Sequence, residues 1–343
     1  MGSTPYREVN FGKSLFVPSV QELARQPITN IPPRYIRADD DGPIAVFDGA
    51  STPSVPVIDL QILLHEDPMN SELEKLHSAC KEWGFFQIVN HGVSAFLLEK
   101  FKTEIGDFFK LPYEEKKKLW QQPDNHEGFG QLFVVSEEQK LDWSDIETLE
   151  AYSLEAENLA MTILTQMAKA LGMKTEEMTQ LFNDGGVQSM RMNYYPPCPE
   201  PDIAIGFTPH SDADALTILY QLNDTDGLQI RKDGKWVPVK PLENAFVVNI
   251  GDIMEIVSNG VYKSIEHRAI VNSAKERLSV ATFYSSKLDS DLGPASSLIS
   301  HKNPPVFRRM PLELYFKEFF ARKLKGKSYL DFMKIENAGS DSF

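Results

Sequence analysis

Cysteine is nearly absent from this 343-residue chain, which has two, Cys80 and Cys198. Their spacing suggests no disulfide or metal framework, so two reduced thiols in a cytoplasmic protein are the expectation. Basic residues are outnumbered: 35 Lys and Arg face 49 Asp and Glu, for a net charge of −14. The resulting pI near 5.0 argues against a polyanionic partner such as nucleic acid. No apolar run approaches the roughly 20 residues of a membrane span, and the first residues lack the charged-then-apolar pattern of a secretory signal. Tyr6 stands where a myristoylation motif needs Ser or Thr. Internal repeats and low-complexity segments are missing too. What is present is ordinary for a soluble protein, 42% hydrophobic and 24% charged. That length can bury one large core or two closely joined ones, and a monomer is expected.

Residues 1 to about 55 are proline-rich and irregular, apart from a short helix near Ser19 to Gln26 with Ser19 as its cap. Val55 to Leu60 reads as a strand, and Ser71 to Trp83 as an amphipathic helix with Leu73, Leu76, Ala79, Cys80 and Trp83 inward. His77 reads as a plain helix residue. Gly84 to Gly92 is a buried strand ending in a turn, where His91 should hydrogen-bond backbone. A second helix is expected over Ala95 to Phe109 and a short one over Pro112 to Leu119. In Gly128 to Val134, alternation puts Phe129, Gln131 and Phe133 on one face, either as core packing or as a substrate-facing strand. Glu147 to Leu171 reads as one long helix with Leu154, Leu159, Ile163, Met167 and Leu171 inward, ended by Gly172. A last helix is expected from Pro311 to about Lys325, with Lys323 to Lys327 as its solvated basic end.

Between Gln188 and Leu288 the pattern changes to short β-rich runs broken by Asn-Asp, Asp-Gly and Pro-Leu-Glu-Asn turns, as in an antiparallel sandwich or barrel. Here lies the chemical signal, Thr208-Pro209-His210-Ser211-Asp212, with His267 downstream. In an extended strand alternate side chains share a face, so His210 and Asp212 would point the same way. With a third ligand from another strand they would form a two-histidine, one-carboxylate facial triad. An H-x-D pair alone is weak, and its surroundings give it weight. Arg277 and Ser279 share a strand face ten residues beyond His267, and a guanidinium fork beside a hydroxyl is a carboxylate clamp. Arg191, Asn193 and Tyr195 line up on another face and would need partners if buried.

These motifs, with Trp83 to Gly92, Met190 to Pro199 and Glu266-His267-Arg268, resemble those of plant Fe(II)- and 2-oxoglutarate-dependent dioxygenases over nearly the whole chain. The likeness is to the branch with the senescence-related dioxygenase-like proteins and the opium-poppy alkaloid O-demethylases. It implies an α+β fold: a double-stranded β-helix (jelly-roll) core over residues 186–295, a mainly helical region over 1–185 that lends strands to it, and a C-terminal loop and helix over 296–343. It implies His210, Asp212 and His267 as iron ligands. Arg277 and Ser279 would hold 2-oxoglutarate, supported by Asn193 and Tyr195, and Phe283 would serve as an aromatic platform for the substrate. Dioxygen and possible reduction by ascorbate come with the family, as does oxidation of a small plant metabolite by hydroxylation, demethylation or desaturation.

The chain departs from the family pattern after Asp145, where Ile146 runs straight into Glu147-Thr148-Leu149-Glu150 and a strand and covering loop are missing. Three other readings stay open: an ascorbate-dependent oxidase of the same fold, a variant with impaired catalysis that only binds ligand, and a zinc hydrolase. The last would leave Arg277 and Ser279 unexplained.

Overall fold

The computed structural model describes residues 17–37, 53–65, 71–120, 129, 145–147, 152–182, 186–321 and 326–335. Its first half is built from capped helices interleaved with a few strands. Ser19 accepts from the Glu22 N–H and opens helix α1 (Val20–Ala24). Strand β1 (Val57–Asp59) ends on Asp59, which caps helix α2 (Leu60–Leu63) by accepting from the Ile62 N–H. Helix α3 (Ser71–Ser78) widens over Ala79–Trp83 and stops at Gly84, at φ +60°. A side chain there would collide with the Lys263 carbonyl, so glycine alone allows the turn into strand β2 (Phe85–Val89).

Helix α4 (Ala95–Lys110) buries Leu98, Phe101, Ile105 and Phe109 at three- and four-residue spacing, and helix α5 (Tyr113–Lys117) follows. Strand β3 is short (Asp145–Glu147), so the expected long helix does not begin at Glu147. Helix α6 (Ser153–Leu171) buries Ala156, Leu159, Ala160, Ile163 and Met167 and ends at Gly172, at φ +66°. That stripe turns Leu154 away from the core, and it is 68% exposed, not inward as expected. Helix α7 (Thr175–Phe182) completes the helical layer.

The second half supplies most of the strands: β4 (Val187–Tyr195), β5 (Phe207–His210), β6 (Leu216–Gln221), β7 (Leu228–Lys232), β8 (Lys235–Pro238) and β9 (Phe246–Ile250). Helix α8 (Asp252–Val257) precedes β10 (His267–Ala269) and β11 (Arg277–Ser285). A small pair, β12 (Asp291–Leu292) and β13 (Met310–Pro311), leads into helices α9 (Leu312–Phe320) and α10 (Ser328–Met333). One sheet has the order β1-β2-β9-β6-β11-β4-β3 and the other β5-β10-β7-β8. Every pairing in both is antiparallel except that of β1 with β2.

Alternation along β11 divides the core. Leu278, Val280 and Tyr284 pack with the helices, in one cluster with Leu159, Ile163 and Met167. Ala281 faces the other sheet, where Phe85, Leu219 and Val247 meet Leu228, Ile230 and Val237. Ile230 and Val237 are fully buried, each worth about 1.5–3 kcal/mol. Two opposed, mainly antiparallel sheets with helices outside are the expected α+β jelly-roll arrangement.

Two expectations are corrected at the C-terminus. The helix expected over 311–325 ends at Phe320, and a second, α10, begins only at Ser328, after Gly326, which takes φ +52° and whose N–H donates to the Pro209 carbonyl beside β5. Lys327 is not a solvated helix end: its Nζ lies 2.9 Å from Oε2 of buried Glu255. At the other edge β3 pairs only with Met192–Tyr194 of β4. Among the described residues no strand pairs with Val187–Arg191 on that side. Residues 148–151, at the departure from the family pattern, lie outside the described residues.

Candidate functional site

Strand register alone brings the two histidines together. His210, the last residue of β5, lies opposite His267, the first of β10, and their ring centroids are 4.3 Å apart. Asp212 lies two residues past the end of β5, in a loop rather than in one strand with His210 as expected. The loop is fixed by its backbone, since the Asp252 N–H donates to the Asp212 carbonyl at 2.8 Å. Asp212 Oδ1 lies 3.4 Å from His210 Nε2 and 3.5 Å from His267 Nε2. The three donor atoms fall within 4.8 Å of one another.

Each donor is turned inward by a second contact. His210 Nδ1 donates to the Thr208 carbonyl at 2.7 Å and His267 Nδ1 to the Ile265 carbonyl at 3.1 Å. Both Nε2 atoms then present lone pairs. Asp212 Oδ2 accepts from Thr217 Oγ1 at 2.5 Å and Asn249 Nδ2 at 2.8 Å, which leaves Oδ1 facing the imidazoles. Burial by itself would raise the Asp212 carboxyl, but the facing histidines and Thr217 hold it well below the usual carboxylate range. Burial, reinforced by His210, lowers His267 to about 4. At neutral pH the cluster is an ionised carboxylate with a neutral His267. Three acceptors converging in a buried corner suit a small divalent cation, with their supporting contacts already made.

The rest of the cavity lies along the inner face of the larger sheet. Arg277, Ser279, Ala281 and Phe283 alternate down β11, opposite Tyr195, Asn193, Arg191 and Ser189 of β4. All of these except Ser189 line one cavity with His210, Asp212 and His267. On β6, Thr217 stands opposite Phe283 and Gln221 opposite Ser279. Four strand residues separate these levels by roughly 13 Å, so the Arg277 end is a distinct corner from the Asp212 end. Phe85, Leu219, Leu228 and Ala281 supply apolar walls.

Arg277 is 3% exposed, and among the described residues no carboxylate forms a salt bridge with it. Burial lowers its pKa against the pull of Tyr195 and of the more distant Asp226 carboxylate, though a guanidinium keeps its proton. Its Nη1 donates to Ser279 Oγ at 3.3 Å. A buried cation with no carboxylate in salt-bridge contact among the described residues suits an anionic guest.

The geometry thus gathers His210, Asp212, His267, Arg277, Ser279, Asn193, Tyr195 and Phe283 around one cavity. Phe129 is not among its lining residues. It is fully buried between Phe108 and Trp120, so core packing is the reading the structure supports. Phe133 lies outside the described residues. His77 bonds Tyr262, and His91 accepts from the Val93 N–H while contacting the Asn244 carbonyl, both away from the site. Sequence reasoning missed Thr217, Asn249 and Gln221. The available signal was a lone polar residue in an apolar run, as with Asn249 in Ala245 to Ile250.

Comparison with known proteins agrees with this geometry. Residues 186–286 match the 2OG-Fe(II) oxygenase superfamily, and residues 55–165 match the family described as non-haem dioxygenase in morphine synthesis N-terminal. Protein SRG1 of Arabidopsis thaliana is 52% identical over 94% of this chain and 97% of its own length. Oxoglutarate-dependent flavonoid 7-O-demethylase 1 of Ocimum basilicum is 49% identical over 95% of this chain and 93% of its own. Codeine O-demethylase of Papaver somniferum is 48% identical over 95% and 98%. These alignments run over 348, 353 and 356 positions, each more than the 343 residues here, so each relative carries residues with no counterpart in this chain. The crystal structure of JOX2 in complex with 2OG, Fe and JA superposes with a TM-score of 0.84 at 34% identity, covering 94% of this chain and 99% of that one. The chain belongs to the 2OG-Fe(II) oxygenase superfamily and is a 2-oxoglutarate- and Fe(II)-dependent dioxygenase.

Proposed function

We propose that His210, Asp212 and His267 hold one Fe(II), and that Arg277 and Ser279 bind the far carboxylate of 2-oxoglutarate with Asn193 and Tyr195 beside it. The observation that carries this reading is the pairing, in one cavity, of a convergent N, N, O donor set with a buried guanidinium that no described carboxylate meets in a salt bridge. The charges support it. A divalent cation on two neutral imidazoles and one carboxylate keeps a net +1. With Arg277 that makes two positive charges, which a dianionic keto acid balances. Three protein donors would leave room on such an ion for the keto acid and dioxygen.

When bound, iron supplies the oxidation chemistry, in which 2-oxoglutarate becomes succinate and carbon dioxide while the organic substrate is oxidised. The chain's part is to hold, orient and exclude. Thr217 and Asn249 keep Asp212 aimed at the metal position, and the Thr208 and Ile265 carbonyls keep both imidazoles in the binding tautomer. Phe85, Leu219 and Ala281 keep the space between the two corners dry.

The proposed substrate is a small plant specialised metabolite, oxidised by hydroxylation, demethylation or desaturation. Phe283, level with Thr217 and so with the metal corner, would offer it an aromatic face. Similarity to flavonoid and alkaloid demethylases supports that class. A monomer is the proposed working unit. The division into 1–185, 186–295 and 296–343 is part of this proposal, and the start of one matched span at residue 186 supports its first boundary. No helix among the described residues is long and apolar enough to cross a membrane, and both buried cysteines are free, which supports a cytoplasmic site of action.

The test is Arg277→Lys, which keeps the charge and loses the planar fork. Affinity for 2-oxoglutarate should fall about tenfold or more. Unchanged affinity would overturn the assignment of Arg277 as the carboxylate clamp.

A further inference from the structure

Arg277 is held by a neutral partner. Gln221 Oε1 accepts from Arg277 Nε at 3.2 Å and from Nη2 at 2.9 Å, gripping the side edge of the guanidinium. The amide cannot turn over, because its Nε2 donates to the Asn223 and Thr225 carbonyls, both at 2.8 Å. Gly227 lies under the side-chain shaft, where an added Cβ would come within 2.6 Å of Arg277 Cδ. The end edge, with Nη1 beside Ser279 Oγ, is left toward the cavity.

We infer that Gln221 is the positioning residue for cosubstrate choice: it fixes the direction of the Arg277 fork without cancelling its charge. This rests on the cosubstrate reading above. A carboxylate at position 221 would form a bidentate ion pair on the same edge and neutralise the cation before any guest arrived. An aliphatic side chain would leave the charge but free the fork to turn. Either change acts only on a ligand with a distal carboxylate. Pyruvate, a keto acid without one, separates that effect from damage to the metal corner.

The experiment titrates 2-oxoglutarate and pyruvate separately onto the Mn(II)-loaded full chain without oxygen, for the parent, Gln221→Met and Gln221→Glu. Mn(II) affinity and thermal unfolding are measured alongside. The parent should prefer 2-oxoglutarate by about tenfold or more, Gln221→Met should lose part of that preference, and Gln221→Glu nearly all of it. Mn(II) and pyruvate affinities should stay at parent values. An unchanged preference in Gln221→Met overturns the inference, and so does a loss of both keto acids and Mn(II) in step, which marks a merely structural role. If Gln221→Glu does not fold, Gln221→Met decides alone. A parent without preference for 2-oxoglutarate overturns the Arg277 assignment itself, a different failure from an intact parent preference that ignores position 221.

Discussion

Asp212 uses its two oxygens differently. Oδ2 is taken up by Thr217 and Asn249, and Oδ1 faces the histidines. Removing a contact that orients a ligand typically weakens metal binding by about 10–100-fold, and that loss is expected for Thr217→Val and for Asn249→Ala. Mn(II) titration monitored by electron paramagnetic resonance would measure it. Behind the site, Asp252 is fully buried, and burial pushes its carboxyl up to about 7 against the pull of Lys327. A folded value above the unfolded one gives stability that is full below about pH 4 and lost as pH rises through about 7. The Asp252 contribution should therefore lower the melting temperature of metal-free protein as pH rises from about 5 to 8, opposed below about 6.5 by His267, and Asp252→Asn should make the measured slope less negative than the parent's. Equal slopes in thermal scans would count against it. Of the proposed ligands and clamp, His267 came from the family resemblance, whereas His210, Asp212, Arg277 and Ser279 were legible in the sequence because each sits in a local spacing, His-x-Asp or Arg-x-Ser. Thr217, Asn249 and Gln221 were not, since their roles depend on which strands become neighbours.

Among the elements, β11 shows how far a two-residue period reaches: its unbroken register with β4 and β6 sets Arg277, Ser279, Ala281 and Phe283 on one face. That alternation was readable. The start of α6 was not, because Leu154 fits a loose apolar count and only the packed stripe from Ala156 onward shows it to be outside. β3 covers just three residues of β4, and three relatives align over more positions than this chain possesses. On the expectation that the family segment absent from this chain falls after Asp145, the organic substrate should be poorly enclosed, and oxidation should lose its partner C–H bond. Succinate should form in excess over oxidised product, and restoring a family-type segment between Asp145 and Glu147 should bring the two toward equality. Measuring both products for both forms tests this. One-to-one coupling in the present chain would mean that the segment is dispensable.

Across the whole molecule, the C-terminal segment braces the proposed metal corner from behind. Tyr315 donates to the Ala213 carbonyl at 3.1 Å, and the Gly326 N–H to the Pro209 carbonyl at 3.2 Å. Lys327 pairs with Glu255, which also accepts from the Ser264 N–H. None of this is readable from a basic run, which by composition alone resembles any solvated helix end. Because Lys327 is partly exposed, Lys327→Met should cost only about 1–2 kcal/mol in urea unfolding, from the unpaired charge left on Glu255. A loss below a few tenths of that would mean that the pair is idle. The most direct measurement of all is an anaerobic titration of the parent, His210→Ala and His267→Ala with Fe(II), then 2-oxoglutarate, followed by the visible absorption of a keto-acid chelate on Fe(II). The parent should bind one Fe(II) per chain and develop the band on adding 2-oxoglutarate, while both variants should lose stoichiometric iron and the band together. Full iron binding with an intact band in both variants would contradict the assignment of these histidines.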